Sequence, residues 1–182
     1  ERLRARFEQT SEGSGFPTVL KGAVLVQRPG KIRWTYDPPD KRVIVLDGEL
    51  FSQYSPEERQ LTIVPLQKGG IDPTALTFLM GEGRLDQEFR PRIVPQEAGA
   101  TPPVLVLDLI PRGEPSFELL RLSLDPKSHE LRDSVLVDLF GNRTRLALSG
   151  TECNRGVPPD AFRVEYPKDK TDVIDFRVPK AP

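Results

Sequence analysis

Gly22-Ala-Val-Leu-Val-Gln-Arg-Pro-Gly-Lys-Ile-Arg-Trp-Thr-Tyr36 reads as two β-strands flanking a Pro-Gly turn. Val24, Val26 and Arg28 alternate onto one face of the first strand, and Ile32, Trp34 and Tyr36 onto one face of the second. A three-residue loop, Pro29-Gly30-Lys31, would set Arg28 opposite Ile32, Val26 opposite Trp34 and Val24 opposite Tyr36. The two stripes then merge into one apolar surface with a cation at its lip. A two-residue loop would slip the register by one and scatter them to opposite faces. The expectation is the three-residue version.

Outward from this hairpin the chain keeps the same grammar. Strand-like runs fall at Leu3–Thr10, Val19–Arg28, Ile32–Tyr36, Arg42–Leu46, Leu50–Tyr54 and Leu61–Leu66, with Asp47-Gly48 as a hairpin turn, so the first half reads as an antiparallel meander. Further runs lie at Leu85–Val94, Val104–Ile110, Phe117–Leu124, Leu131–Leu139, Arg143–Ser149, Phe162–Tyr166 and Val173–Phe176. Between the halves, Asp72 can cap, Pro73 suits a first helical position and Gly81 a stop, which predicts a short helix with Leu76, Leu79 and Met80 on one side. The 14 glycines and 19 prolines punctuate the apolar runs instead of forming one tract. A mainly β architecture follows, either a large curved antiparallel sheet or an open barrel, with a β-sandwich as the competing arrangement.

The 182 residues suffice for a single domain, residues 1–182. With 26 basic and 27 acidic residues and no block of like charge, nothing points to nucleic acid or an anionic membrane surface as a partner. No apolar run approaches the about 18–20 residues of a membrane-spanning helix. The chain starts at Glu1 and its one methionine is Met80, so a segment upstream, such as a signal peptide, is expected to have been removed. Cys153 is alone, which excludes an internal disulfide framework, and reads as a small semi-buried residue.

Catalytic signals are weak. The one histidine, His129, lies in a turn-like Asp-Pro-Lys-Ser-His-Glu context, and no Gly-x-Ser-x-Gly elbow occurs. No His/Cys/Asp set has metal-ligand spacing, and Gly-Glu-Gly-Arg at 81–84 lacks the pattern of a phosphate cradle. The reading is a non-enzyme without a cofactor.

Particular stretches resemble the periplasmic outer-membrane lipoprotein carrier (LolA) family. They are Arg28-Pro29 at a strand end, Trp34 with Pro38 beyond it, the Asp47-Gly48 hairpin and the Tyr54-Ser55-Pro56 turn, within Val43–Leu66. Leu3–Thr10 is similar to the family's first strand and Phe162–Phe176 to its closing segment. The resemblance implies an incomplete, open antiparallel β-barrel with a short helical lid, whose apolar concave face shelters the acyl chains of lipoproteins. It implies a periplasmic chaperone that takes acylated lipoproteins from an inner-membrane ABC-type release complex to an outer-membrane lipoprotein receptor.

Val24, Val26, Ile32, Trp34 and Tyr36 would line the cavity, Leu76, Leu79 and Met80 would belong to the lid, and Arg28 would latch barrel to lid through hydrogen bonds. Guanidinium donors suit that task because they bridge to carbonyls, and burying the charge is tolerable only while those bonds hold. The family's N-terminal amphipathic helix is expected to be missing here, which would leave the cavity more open. The alternative implied by the same resemblance is a lipid- or peptide-binding module of a periplasmic stress sensor. A secreted hydrolase or a structural β-domain with a filled interior is a further rival.

Overall fold

In a computed structural model the chain is described over residues 1–13, 15–66, 85–96, 103–113 and 117–177. The helix expected at Asp72–Gly81, with Leu76, Leu79 and Met80, lies outside the described residues. Among the described residues twelve strands form one sheet: β1 (Arg2–Glu12), β2 (Thr18–Gln27), β3 (Lys31–Tyr36), β4 (Val43–Leu46), β5 (Leu50–Ser55), β6 (Gln60–Pro65), β7 (Phe89–Val94), β8 (Leu105–Pro111), β9 (Phe117–Leu124), β10 (Leu131–Asp138), β11 (Arg143–Cys153) and β12 (Asp172–Asp175). Their order is β12-β6-β5-β4-β3-β2-β1-β11-β10-β9-β8-β7, with β12 and β7 as unjoined ends, so the protein is mainly β and its sheet is open. The chain divides into two compact units, residues 1–6, 21–83 and 150–182 in the first and residues 7–20 and 84–149 in the second.

In the first unit β2 to β6 form the antiparallel meander read from the sequence. The Asp47 carboxylate accepts the amides of Glu49 and Leu50 at 3.0 and 2.9 Å, and Gly48 takes φ +102°, which closes the β4–β5 hairpin. The edge strand β12 runs parallel to β6, with Ile174 opposite Thr62. A parallel neighbour is open only to a strand arriving by a long connection, and β12 arrives after the irregular stretch 154–171. Phe162–Tyr166, read as a strand from its alternation, is part of that stretch and enters no ladder.

In the second unit β7 to β11 are antiparallel neighbours. Leu85–Glu88, expected to open a strand, is instead one helical turn, α1, with Asp86 and Glu88 in it, where carboxylates favour the helix N-terminus. The strand begins only at Phe89. β7 tolerates Pro91 because it is an edge strand, where a missing N–H breaks no second ladder.

Alternation sorts this unit's faces. Leu107, Leu109, Leu120, Leu122, Leu136 and Leu146 share one face, with Leu109, Leu120 and Leu122 buried. The opposite face carries an ionic ladder. Asp108, 0% exposed, accepts Arg121 Nε and Nη2 at 2.7 and 3.0 Å and Arg92 Nη2 at 2.7 Å, while Asp133 accepts Ser123 Oγ and Arg145 Nη2 at 2.9 and 3.0 Å. These pairs fix register, because a one-residue slip would turn the carboxylates into the leucine face.

Candidate functional site

The β2–β3 hairpin has a three-residue loop, but the loop is Arg28-Pro29-Gly30 and not Pro29-Gly30-Lys31. Gln27 pairs with Lys31, Val26 with Ile32, Val24 with Trp34 and Gly22 with Tyr36. The reason lies in Gly30, whose φ of +70° is the left-handed conformation that closes a three-residue hairpin at its last position. The expected register had put that glycine in the middle. Because the correction moves the pairing by two residues, side-chain parity survives, and Val24, Val26, Ile32 and Trp34 still share a face.

That face continues across the meander as two cross-strand rows. One row is Val26, Ile32, Leu46, Phe51 and Val64, apolar over five strands. The next is Val24, Trp34, Ile44, Gln53 and Thr62, apolar over three. Val24, Ile32 and Leu46 are buried, with Ile32 0% exposed, while Val26, Trp34, Ile44, Phe51 and Val64 are half-buried. Sequence reasoning missed Ile44, Leu46, Phe51 and Val64 as members. Val-Ile-Val-Leu at 43–46 is apolar at every position, so alternation is silent there; only the Asp47-Gly48 turn could have assigned the faces.

Tyr36 stands one step beyond these rows, opposite Gly22. The Arg42 guanidinium lies over its ring at 4.9 Å from the centroid, and Arg42 Nε in turn donates to Asp40 Oδ1 at 2.8 Å. Burial pushes the Tyr36 phenol above its ordinary value, with Arg42 pulling the other way. Tyr36 therefore belongs to a polar rim that ends the apolar rows. Arg28 ends them on the turn side. It is not opposite Ile32 as expected but in the loop, half-exposed, its amide bonded to Glu1 O at 2.9 Å and its Nη1 donating to Glu1 Oε2 at 3.1 Å. The hollow of about 270 Å³ beside it is lined by Glu1, Arg2, Gln27, Arg28 and Asn154, which are polar and unsuited to an acyl chain.

The chain itself crosses the opposite face of the same strands. Arg33 Nη1 donates to Ala161 O and Arg163 O at 3.1 and 2.8 Å, with Nε on Thr35 Oγ1 at 3.2 Å. Tyr54 packs a tilted ring on Tyr166 at 6.2 Å, and Val45, Tyr54 and Leu61 are buried there. Burial draws the Arg33 guanidinium below its ordinary value, with Glu165 opposing. Arg33 is the residue that sequence reasoning passed over; its signal was a cation set between Ile32 and Trp34 on strand β3. Arg33→Lys replaces a planar fork by a point donor, so one carbonyl loses its partner. The expected result is a loss of about 1–2 kcal/mol in urea unfolding and faster proteolysis within 154–171; an unchanged urea midpoint would contradict the pinning role.

Other candidates resolve simply. Cys153 is exposed and not semi-buried, since it ends β11 where the ladder gives out. His129 sits exposed in the Asp125–Glu130 turn with φ +58°, while the Asp125 carboxylate takes the amides of Lys127 and Ser128. Among the described residues no group of three or more His, Cys, Asp or Glu is placed to hold a metal ion, and no helix is long and apolar enough to cross a membrane.

Residues 1–165 match the family model described as outer membrane lipoprotein carrier protein LolA. The outer-membrane lipoprotein carrier protein of Nitrosomonas europaea is 36% identical over 176 residues, covering 94% of this chain and 82% of that protein. The protein of the same name from Pseudomonas fluorescens is 32% identical over 179 residues, covering 96% and 82%. Among solved structures, an uncharacterized conserved protein from Thermus thermophilus has a TM-score of 0.56 at 15% identity, covering 96% of this chain and 90% of that one, and so shares the fold. On the family model and on relatives above 30% identity along most of their length, the chain belongs to the outer-membrane lipoprotein carrier protein (LolA) family.

Proposed function

We propose that this protein is a periplasmic carrier that holds the acyl chains of lipoproteins against the apolar rows of β2 to β6. In this reading it receives them from an inner-membrane ABC-type release complex and delivers them to an outer-membrane lipoprotein receptor. The observation that supports it is the contrast between the two faces of one meander. One face is crossed by the chain's own segment, pinned through Arg33, while the other carries continuous apolar rows in which Val24 and Ile32 are buried and Val26 and Trp34 partly exposed.

Energetics explain why a carrier is needed. At about 0.8 kcal/mol per CH₂, holding a 16-carbon chain in water costs on the order of 12 kcal/mol, so free diffusion between membranes is negligible. A surface that offers partial burial retains the chain against water yet yields it to an acceptor that buries more. Leu76, Leu79 and Met80 complete this reading as lid residues, with methionine suited to repacking around different chains. Mass spectrometry of natively purified protein tests the proposal: co-isolated acyl lipid or lipoprotein is expected, and a ligand-free protein that also fails to take up lipoprotein would refute it.

Arg28 is the proposed latch between barrel and lid. Its place at the turn end of the apolar rows supports that role, since a guanidinium carries five donors and among the described residues Nη1 alone is engaged, on Glu1. Arg28→Leu is expected to load lipoprotein normally but to transfer it several-fold more slowly to receptor-bearing membranes. Unchanged uptake and transfer would count against the latch.

A further inference from the structure

Two hairpins of the second unit end side by side in nearly naked aromatic rings. The β1–β2 hairpin carries Phe16, 96% exposed, and the β10–β11 hairpin carries Phe140, 90% exposed. Their tips touch: Gly13 lies so close to Asn142 that a Cβ there would meet Asn142 Oδ1 at 2.3 Å. Val19 and Leu139, both more than half exposed, belong to the same two hairpins. At the β10–β11 tip this exposure is built into the turn. Asp138 Oδ1 accepts the amides of Phe140 and Asn142 at 2.8 and 2.9 Å, Oδ2 accepts Asn142 Nδ2 at 2.7 Å, and Gly141 turns the chain at φ +81°. The turn spends its carboxylate on itself and holds Phe140 outward.

We infer that these paired tips are a membrane-docking surface that inserts Phe16 and Phe140 into the interface of a phospholipid bilayer. The four apolar side chains expose roughly 500–600 Å², large for one patch on a monomer but short of the about 800 Å² per partner of a stable protein interface. A lipid interface also requires no shape match and accepts exposed aromatic and aliphatic groups directly.

Charge agrees with that occupant. Arg143 follows the β10–β11 tip, is exposed and, among the described residues, makes no ion pair, so its guanidinium is available to a lipid phosphate. It stands opposite Val137, which stands opposite Leu119, extending an apolar row inward from the rim. Glu12 is the acidic group at the end of β1, and it keeps the patch from being strongly cationic. Docking is therefore driven by the rings and weak, suited to a protein that visits a membrane and leaves. The residues differ from those of the apolar rows of β2 to β6, so the two surfaces are separately testable.

The test is flotation of the protein with vesicles of mixed phosphatidylethanolamine and phosphatidylglycerol, with palmitate titrated in parallel against the emission of Trp34, the one tryptophan. Wild type is expected to float, the Phe16→Ser/Phe140→Ser variant to bind vesicles about tenfold less or worse, and Arg143→Ser about threefold less. The palmitate titration should be the same in all three, which also reports that the variants are folded. Equal flotation of wild type and the double variant, or no flotation of wild type, overturns the docking surface while leaving acyl binding to be judged by the titration. Loss of a dimer in sedimentation velocity, without an effect on vesicles, overturns it in favour of a contact between copies. Flotation that persists when palmitate fails to bind refutes the carrier reading alone.

Discussion

Trp34→Ser combined with Phe51→Ser is expected to weaken binding of a long-chain fatty acid by roughly 100-fold. Both side chains are half-buried on the face whose rows run through Ile32 and Leu46. The two rings together therefore have on the order of 100 Å² still to offer a ligand, about 2–3 kcal/mol at about 25 cal/mol per Å². Both rings are partly buried, so the variant also loses some stability, and a circular-dichroism melt run beside the binding measurement shows that it is folded at the assay temperature. Ile32→Ala supplies the contrast: at 0% exposure it is expected to cost about 2–5 kcal/mol of stability through the cavity it leaves. Displacement of a fluorescent fatty acid separates the two effects. Affinity unchanged in the double variant would mean that the ligand sits elsewhere.

Asp108→Asn is the second large effect, and it has a pH signature. Arg121's hydrogen bonds, with those of Arg92, hold the Asp108 carboxyl below its ordinary value against the opposing effect of burial. The amide in the variant would set an N–H against guanidinium donors. The expected loss is about 2 kcal/mol near neutral pH, at the lower end for a buried pair because both guanidinium groups remain substantially solvated.

A carboxyl with a depressed folded-state value stabilises fully above the unfolded value of 3.8, and that contribution is lost as pH falls through the lower, folded value. The wild-type advantage over Asp108→Asn should thus be constant at neutral pH and shrink in strong acid. Urea midpoints of both proteins across that range check it. A gap that persists undiminished in acid would mean that shape, and not charge, makes Asp108 matter.

How much of this was legible in the sequence depended on whether a residue's neighbours in the chain decide its conformation. Alternation in Val24–Val26 and Ile32–Trp34 fixed which side chains share a face, because parity depends only on period. It did not fix the loop, because both Gln27–Lys31 and Arg28–Ile32 closures span three residues, and the choice rests on which position must take φ +70°. Gly30 was the clue, since glycine favours the closing position.

Leu85–Glu88 was harder to read: a single helical turn carries no period, and its strand continuation at Phe89 dominated the pattern. Phe162–Tyr166 alternates like a strand but is bound to Arg33 across 130 residues, a partner that no local pattern announces. The ladder through Asp108 was equally hidden, because each member is an isolated charge on its own strand until register brings them together. The Arg28 and lid assignments rested on resemblance, and Leu76, Leu79 and Met80 stay with that reading.

A lipopeptide bearing a photoreactive group near the end of its acyl chain tests the central claim most directly. After loading and irradiation, peptide mapping is expected to place the adducts on Val26, Trp34, Ile44, Phe51 or Val64, the half-buried members of the two rows. Adducts confined to the opposite face, on Tyr54, Leu61 or the 154–171 segment, would contradict it.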